Sequence, residues 1–511
     1  MAVTFVDWTL IIFVAIIFGF IGVYFYCTRN YKYWTNLGVR QSTPKFFFGN
    51  LASCVLGKRR PDEYFHELYH HGKGEKMIGF YIFDKPYLML RNPELIKNVF
   101  VKDFNNFPHR VLSTIDEDLL GKNSLFLTRN PPWSHIRKEL SPFFTSVRIK
   151  QKFELMLEIC QDLKGHLQTF GVDDRVGKPL HIKEMCAKFV TDVIGKTAFG
   201  MDFESLKNPD AEFRKHGKAI FRRNFKRYLQ LLSMFLVPSI QSYTRPEFFD
   251  KKGTVFLQSK FGNVIDERIR MKMKTSDLID ILIEMKKNQE IDPPTFHRLE
   301  DISFISQAAG IFAGGFVTSS SALSFALYEL TMRPEIQKKL RDEVVMGLQK
   351  TGGVVTYELV TSLPYLHMIC QETVRLYPIV PWLGRVSESD YTFSGTDVSI
   401  KKGTPVILPT RALHMDPNYF SNPEIFDPER FSEGNREKII PFTYFPFGGG
   451  PRGCIGSKLA LIQIKLGLIT IISQYELTPC ATTPQKLMLE DMNVFLLAPD
   501  ELQMNFRKLS G

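Results

Sequence analysis

Residues 447–456 read FGGGPRGCIG and place one cysteine among five glycines. Because glycine has no Cβ, such a loop can lie flat against a broad group and aim backbone N–H groups at the sulfur. Apolar residues then recur at helical spacing, at Leu459, Ile462, Leu466 and Ile469. This predicts a buried helix that begins just after Cys454. The helix dipole and the guanidinium of Arg452 both favour the thiolate, an electron-donating metal ligand.

Three kinds of site can use a cysteine in such a loop. The glycines match the GxGxxG of dinucleotide sites, which directly follows a strand. Pro441 and Pro446 disfavour a strand before this loop. A redox or nucleophilic cysteine needs a general base, and no His or Asn stands in an obvious relation to Cys454. A haem iron with an axial thiolate fits best, because that ligand pushes electron density toward O–O cleavage.

The loop resembles the haem-binding loop of the cytochromes P-450, the haem-thiolate monooxygenases. It matches their pattern FxxGxRxCxG at Phe447, Gly450, Arg452, Cys454 and Gly456. The resemblance extends over nearly the whole chain. It implies a mainly α fold with small β-sheets (α+β), in which haem b (iron protoporphyrin IX) contacts these five residues and Cys454 is the axial metal ligand.

The residue patterns point to the same fold class. Long helical patterns occupy 152–170, 260–274 and the run from about 299 to 332, which Arg333 and Pro334 close. Strand-like pieces are few and short, at 87–91, 391–408 and near 493–507. These patterns predict a mostly helical protein with a small sheet.

Glu372 and Arg375 match the ExxR motif of the family. The same spacing recurs at Glu267 with Arg270 and at Glu433 with Arg436. Such a pair is usually a helix-surface pair worth about 0.2–0.5 kcal/mol. The first copy is followed by PERF at 428–431 and then by Cys454, in the order of the family. The resemblance implies that Glu372, Arg375 and Arg430 form a structural network that braces the haem loop.

Trp133 and Arg137 lie one helical turn apart in WSHIR and share a face. An indole N–H and a guanidinium so placed can both hold a carboxylate, although core packing would explain Trp133 alone. The family uses this pair for a haem propionate. Arg385 and Arg452 stand where it has further propionate contacts.

The long helix carries Gly310, Gly314 and Gly315, which weaken a helix and indicate a ligand, a bend or close packing. Residues 314–318 align with the family pattern [A/G]GxxT, in which an acid usually precedes the threonine. Thr318 is present as the catalytic residue that positions oxygen and its proton, but Val317 replaces the acid. Two alternatives therefore stay open: a haem-thiolate isomerase or dehydratase, and a haem- or lipid-binding protein without turnover.

The resemblance implies monooxygenation of a hydrophobic small molecule by O2, with electrons from an NADPH-dependent flavoprotein reductase and a b-type cytochrome as a second electron donor. The loop, connector and long helix are most like those of insect microsomal members. The substrate-facing positions that the family suggests are Phe312, Phe316, Val380, Leu383 and Phe495. A basic docking face for the reductase is predicted at Lys138, Arg148, Lys150 and Lys458.

The amino terminus predicts a membrane anchor. No charged residue occurs between Trp8 and Thr28, a stretch long enough to cross a hydrocarbon core of about 30 Å. Basic residues follow it, so the bulk of the chain is expected on the cytosolic side of the endoplasmic reticulum membrane, in contact with lipid. A cleaved signal peptide would be shorter. The predicted division is an anchor at 1–28, a connector at 29–50 and a haem-containing catalytic domain at 51–511.

Composition excludes several classes of protein. The chain has 511 residues, of which 44% are hydrophobic and 23% charged, as in a packed globular protein. Seven scattered cysteines without a CxxC pair argue against a disulfide framework and a zinc site. A net charge of +11 suits an acidic partner or a membrane surface. Nucleic-acid binding is not expected, because no helix-turn-helix or aromatic RNA-binding motif accompanies the charge.

Overall fold

Helices form most of the chain in the computed structural model, which describes residues 2–173, 177–220, 224–291, 298–489 and 492–509. The helices are α1 (Ala2–Thr28), α2 (Tyr33–Asn36), α3 (Ala52–Val55), α4 (Pro61–His71), α5 (Pro93–Lys97), α6 (Leu119–Lys122), α7 (Pro132–Leu140), α8 (Ser146–Gln151), α9 (Phe153–Thr169), α10 (Ile182–Ile194), α11 (Glu212–Ile220), α12 (Phe225–Phe235), α13 (Gln241–Thr244), α14 (Lys251–Met271), α15 (Leu278–Ile291), α16 (Asp301–Met332), α17 (Pro334–Lys350), α18 (Tyr357–Ser362), α19 (Pro364–Leu376), α20 (Thr410–His414), α21 (Glu433–Arg436) and α22 (Ser457–Ile472). Short π or 3-10 turns lie at Asn98–Lys102, Phe104–Asn106, Ser141–Phe144, Gly195–Phe199, Pro238–Ile240 and Pro428–Phe431.

The described strands form three small sheets. They are β1 (Met77–Ile82), β2 (Lys85–Leu90), β3 (Lys178–His181), β4 (Leu383–Val386), β5 (Tyr391–Thr392), β6 (Ser399–Ile400), β7 (Pro405–Leu408), β8 (Tyr475–Thr478) and β9 (Gln503–Lys508). The sheet orders are β1-β2-β7-β4, β3-β9-β8 and β5-β6. Only the β2–β7 pairing is parallel among the described strands. The predicted class, mainly α with small β-sheets, is confirmed.

Helix α1 projects from the rest of the protein. Its segment Trp8–Thr28 has 21 residues, is long and apolar enough to cross a membrane, and has 0% of its apolar window buried. Met1 of the predicted anchor lies outside the described residues. Helix α16 passes the same test of length and composition, but it is mostly buried. We therefore regard α1 as the candidate membrane anchor and α16 as the core helix.

The segment between the anchor and residue 51 is folded against the first sheet. The indole of Trp34 is 0% exposed, and a Cβ on Gly79 of β1 would lie 2.2 Å from it. Arg29 pairs with Asp84 in the β1–β2 turn at 2.7 Å. These contacts attach the end of α1 to the first sheet. The division of the chain at residues 28 and 50 stays a prediction.

Helix α16 runs through the core and ends where Pro334 prevents a further helical turn. Two of its three glycines allow close packing. A Cβ at Gly315 would lie 2.0 Å from the Ile194 side chain of α10, and one at Gly310 would lie 3.1 Å from Ser124. A Cβ at Gly314 would meet no atom within 4 Å, and this residue is exposed. Only Gly314 thus borders open space.

Candidate active site

The cysteine loop is held by its own backbone and by the turn at Asn98–Lys102. The N–H of Cys454 donates to the Phe447 carbonyl at 2.8 Å, which closes the loop. Gly450 has φ +65°, and a Cβ there would lie 1.8 Å from the Phe100 carbonyl oxygen. Glycine is therefore required at 450 both for the left-handed conformation and for the approach to Phe100. Helix α22 begins at Ser457 behind Gly456, as predicted.

Cys454 is a free thiol whose residue is accessible to solvent. Protein atoms nevertheless surround the sulfur on most sides. This burial is the main cause that raises the pKa of the thiol. The N–H of Gly456 and the cations Arg137 and Arg110 act in the opposite direction and favour the thiolate. The sequence predicts that the guanidinium of Arg452 favours the thiolate. In the structure the cations that do so are Arg137 and Arg110. Arg452 instead donates to the Pro108 and Thr128 carbonyls, each at 3.0 Å.

Four arginines converge beside the loop without an acidic partner among the described residues. Burial and mutual repulsion lower the pKa of Arg452 to about 8, and burial with the nearby Arg110 lowers that of Arg385 to about 9. Arg110 and Arg137 are part-buried, and desolvation lowers the pKa of Arg110 to about 10. The Nε of Arg385 and one terminal nitrogen of Arg452 are buried and make no hydrogen bond. A cluster of buried guanidinium groups is stable only when anions neutralise its charge and accept its free N–H groups.

Trp133 and Arg137 lie on one face of α7, as predicted. Trp133 is buried, and the guanidinium of Arg452 stacks 3.7 Å from the centroid of its ring. The pair thus joins the arginine cluster, and the indole supports one of the unpaired cations.

The face of α16 that carries Gly314 also carries the threonine. Thr318 is partly exposed and its Oγ1 donates to the Gly314 carbonyl at 2.7 Å. Val317 is 8% exposed and adds no polar atom. One turn further, the buried hydroxyl of Ser321 makes no hydrogen bond.

Two of the predicted substrate positions, Phe312 and Phe316, are buried in the structure. Phe312 and Phe316 lie on the opposite face of α16 from Gly314 and pack against each other with ring centroids 5.1 Å apart. Phe312 also contacts Phe203 at 5.9 Å and Phe213 at 5.5 Å. These rings form an aromatic cluster between helices, so they stabilise the core.

The other predicted substrate positions lie near the start of β4 and beside α12. Phe495 is buried against Phe235, with centroids 5.0 Å apart. Val380 is partly exposed just before β4, and Leu383 is partly exposed at the start of this strand. The side chain of Leu383 would lie 3.3 Å from a Cβ on Gly448, which places it beside the cysteine loop.

Glu372, Arg375 and Arg430 form one buried network. Arg375 donates twice to Glu372, at 2.6 and 2.8 Å, and both side chains are 0% exposed. Arg430 donates to the same carboxylate at 3.3 Å, and the N–H of Asp427 does so at 3.0 Å. The network ties α19 to the PERF segment.

Comparison with known proteins identifies the family. The family model described as cytochrome P450 matches residues 39–506. The chain belongs to the cytochrome P450 family. It is 36% identical over 503 residues to cytochrome P450 6k1 of Blattella germanica, covering 96% of this chain and 95% of that protein. It is also 36% identical over 494 residues to the probable cytochrome P450 6g2 of Drosophila melanogaster, covering 94% and 95%. It is therefore an oxidoreductase and a monooxygenase with a haem b cofactor, a hydrophobic substrate and a redox partner.

The residues of this cytochrome P450 fit haem b. Two propionates would supply the anions that the buried, unpaired atoms of Arg385 and Arg452 require. The iron would supply the cation that offsets the cost of a buried thiolate at Cys454. The open space at Gly314 leaves room beside α16.

Two residues of this region were missed by the sequence. Arg110 belongs to the cation cluster, and its Nη2 donates to the Arg452 carbonyl at 3.0 Å. His414 lies between Arg375 and the segment that precedes the loop. No local pattern marks either residue, since long-range contacts alone bring them to the site.

Proposed function

We propose that this cytochrome P450 uses electrons from an NADPH-dependent flavoprotein reductase, with a b-type cytochrome as a second donor, to oxygenate a hydrophobic small molecule. The observation that carries the proposal is the free Cys454 thiol beside a cluster of buried and part-buried arginines that has no acidic partner in the described parts of the chain. Haem b, held by Cys454, would supply the activation of O2 and the transfer of one oxygen atom. All other steps depend on side chains of this chain.

Most of the predicted residues have a role in this proposal, whereas Phe312 and Phe316 are left to the aromatic cluster between the helices. Cys454 ligates the iron, while Phe447, Gly450 and Gly456 shape the loop around it. The propionates are held by Trp133, Arg137, Arg385 and Arg452, and we add Arg110 to this set. Val380, Leu383 and Phe495 contact the substrate.

Proton delivery in this chain proceeds without a carboxylate at position 317. Thr318 Oγ1 donates its proton to the Gly314 carbonyl oxygen, 2.7 Å away, so its lone pairs are left to accept a hydrogen bond from a water molecule. Val317 can neither donate nor accept a proton. The water ordered by Thr318 therefore carries the proton in place of the missing acid.

A reconstituted assay tests the reaction and the relay together. With reductase, NADPH and ¹⁸O2, the label is expected in the product, whereas product formed without O2 consumption would support an isomerase. Val317→Glu is expected to give no more product per NADPH consumed than the wild type or the uncharged control Val317→Gln. A several-fold gain in Val317→Glu alone would show that the threonine and water do not complete the relay.

The docking surface for the reductase is proposed on the side of the cysteine loop. Lys458 Nζ donates to Ser146 Oγ at 3.1 Å, which brings the start of α22 beside α8. Lys138 and Arg148 are exposed nearby in the sequence. Lys150 pairs with Glu358, so it contributes less free charge.

We expect Lys138→Glu combined with Lys458→Glu to reduce reductase-driven turnover about tenfold at low salt, because opposite charges accelerate association. Rising ionic strength should shrink the difference, since salt screens surface charges. The control is Lys251→Glu with Lys252→Glu on the exposed start of α14, which changes the net charge equally. Equal turnover in both double variants at every salt concentration would exclude this docking surface.

The membrane face is proposed to include the aromatic residues around the end of α1. Tyr24 of the anchor stacks on Phe46 with centroids 5.6 Å apart. Phe46 and Phe47 are exposed beside it. A single-pass anchor with the catalytic domain on the cytosolic side of the endoplasmic reticulum membrane accounts for this arrangement and for the basic residues that follow the span.

A further inference from the structure

His414 is a fully buried histidine at the end of α20. It is 0% exposed and is surrounded by aromatic rings, with Tyr444 at 5.2 Å, Phe445 at 5.8 Å and Phe420 at 6.4 Å between centroids. Its ring touches no position that we have assigned to the haem or the substrate. A buried imidazole needs partners for both nitrogens, because an unmet polar atom is costly in the core.

Both ring nitrogens of His414 are bonded to the backbone, and the partners fix the tautomer. The N–H of Phe445 donates to Nε2 at 3.1 Å, and Nδ1 lies 3.1 Å from the carbonyl oxygen of Arg375. A peptide N–H can only donate and a carbonyl can only accept. Nδ1 therefore carries the hydrogen and Nε2 is bare. Burial, and secondly the charge of Arg375, lower the pKa of His414 to about 3, so the ring stays neutral.

These bonds connect the buried acid–arginine network to the cysteine loop. Arg375 is bonded to His414 twice, because its Nη1 also donates to the His414 carbonyl at 2.7 Å. On the other side, the Phe445 carbonyl accepts the N–H of Gly448 at 2.9 Å, inside the loop. A continuous path thus runs from Glu372 through Arg375 and His414 to the backbone that precedes Cys454.

A second hydrogen bond attaches the segment that contains Phe445 to α19. The hydroxyl of Tyr444 donates to the Gln371 carbonyl of α19 at 2.9 Å. Residues 444 and 445 are therefore attached to α19 both directly and through the imidazole. The direct bond holds position 444, but only the imidazole holds the N–H at 445 among the described contacts.

We propose that His414 is a positioning residue that fixes the cysteine loop so that Cys454 reaches the iron as a thiolate. This role rests on the proposed ligation by Cys454. It acts through the acceptor at Nε2, while Nδ1–H aligns the ring on Arg375. Loss of the acceptor leaves the Phe445 N–H buried without a partner, and the loop then relaxes to satisfy it.

Three substitutions separate the two nitrogens. Gln can present its side-chain oxygen near the position of Nε2, so His414→Gln keeps an acceptor for Phe445. Asn can present its amide nitrogen near Nδ1, so His414→Asn keeps only the bond to Arg375. His414→Phe keeps the ring and neither bond. Leu477→Ala in β8 is a control for general loss of core packing, since Leu477 is 1% exposed.

Two quantities are measured. The first is the carbon-monoxide spectrum of the reduced protein, and the second is the rate at which haem is transferred to an excess of a haem-free haem-binding protein. In His414→Asn and His414→Phe we expect a reduced share of the thiolate-type band and haem loss about tenfold faster. His414→Gln should lie near the wild type, and Leu477→Ala should keep the thiolate band despite its lower stability.

Each other outcome has a definite meaning. If all three His414 variants keep the band and the haem of the wild type, the positioning role is excluded. If Leu477→Ala loses the band to the same extent, His414 serves general packing only, which also overturns the proposal. If the wild type itself lacks the thiolate band, the proposed ligation by Cys454 fails, a result distinct from failure of the role of His414.

Discussion

Replacing Cys454 by alanine is expected to abolish the thiolate-type absorption band of the reduced carbon-monoxide complex and to leave the purified protein with little haem. The iron would lose the proposed protein ligand, and the described parts of the chain contain no group of three or more His, Cys, Asp or Glu side chains that could hold a metal ion instead. The carbon-monoxide complex of a thiolate-ligated haem absorbs far to the red of that of a histidine-ligated haem. The position of the band therefore shows whether the sulfur is bound to the iron.

Cys480 is the matched control for this experiment. It is also a free thiol and is partly exposed. Burial raises its pKa, but hydrogen bonds with Thr482 and Thr483 outweigh this effect, so the net shift of the pKa is downward. Cys480→Ala should therefore keep the haem and the band. If Cys454→Ala keeps its porphyrin with unaltered bands, axial ligation by Cys454 is excluded.

Local sequence patterns were sufficient to predict the loop and the helices that carry the candidate active site. The glycines and helical spacing around Cys454 predicted a loop followed by a buried helix, and α22 begins at Ser457. The run closed by Pro334 predicted the long helix, which spans Asp301–Met332. In both cases the signal lies within one segment, so no knowledge of the rest of the fold was needed.

Side-chain direction within those elements could not be predicted in the same way. Helical spacing places Phe312 and Phe316 on one face, but it does not say what that face meets. The face is covered by Phe203 and Phe213, which are distant in sequence. Arg452 is a similar case, because its partners are the carbonyls of a remote segment rather than the neighbouring sulfur. Such choices depend on tertiary packing.

The three ExxR copies show the same limit for charged pairs. Glu372 and Arg375 are 0% exposed, whereas Glu267 and Arg270 are exposed on α14. Their spacing is identical, so burial alone separates a structural network from an ordinary helix surface. The sequence could select the correct copy only through its order relative to PERF and Cys454.

This difference leads to a large expected effect on stability. Glu372→Gln keeps the shape of the side chain but removes the charge that two arginines share, at 2.6 Å from Arg375 and 3.3 Å from Arg430. A buried cation without its partner typically costs about 3–5 kcal/mol. We expect a loss of this order in the free energy of unfolding and a fall in the haem content of the purified protein.

Glu267→Gln provides the comparison, since it makes the same chemical change at the exposed copy of the motif. Its expected effect is below about 0.5 kcal/mol, the usual size of a surface pair. Chemical denaturation of both variants measures the two losses under the same conditions. Because the path from Glu372 reaches the loop through Arg375 and His414, haem content should fall in Glu372→Gln and not in Glu267→Gln. Equal stability and equal haem in the two variants would mean that burial of this network does not brace the loop.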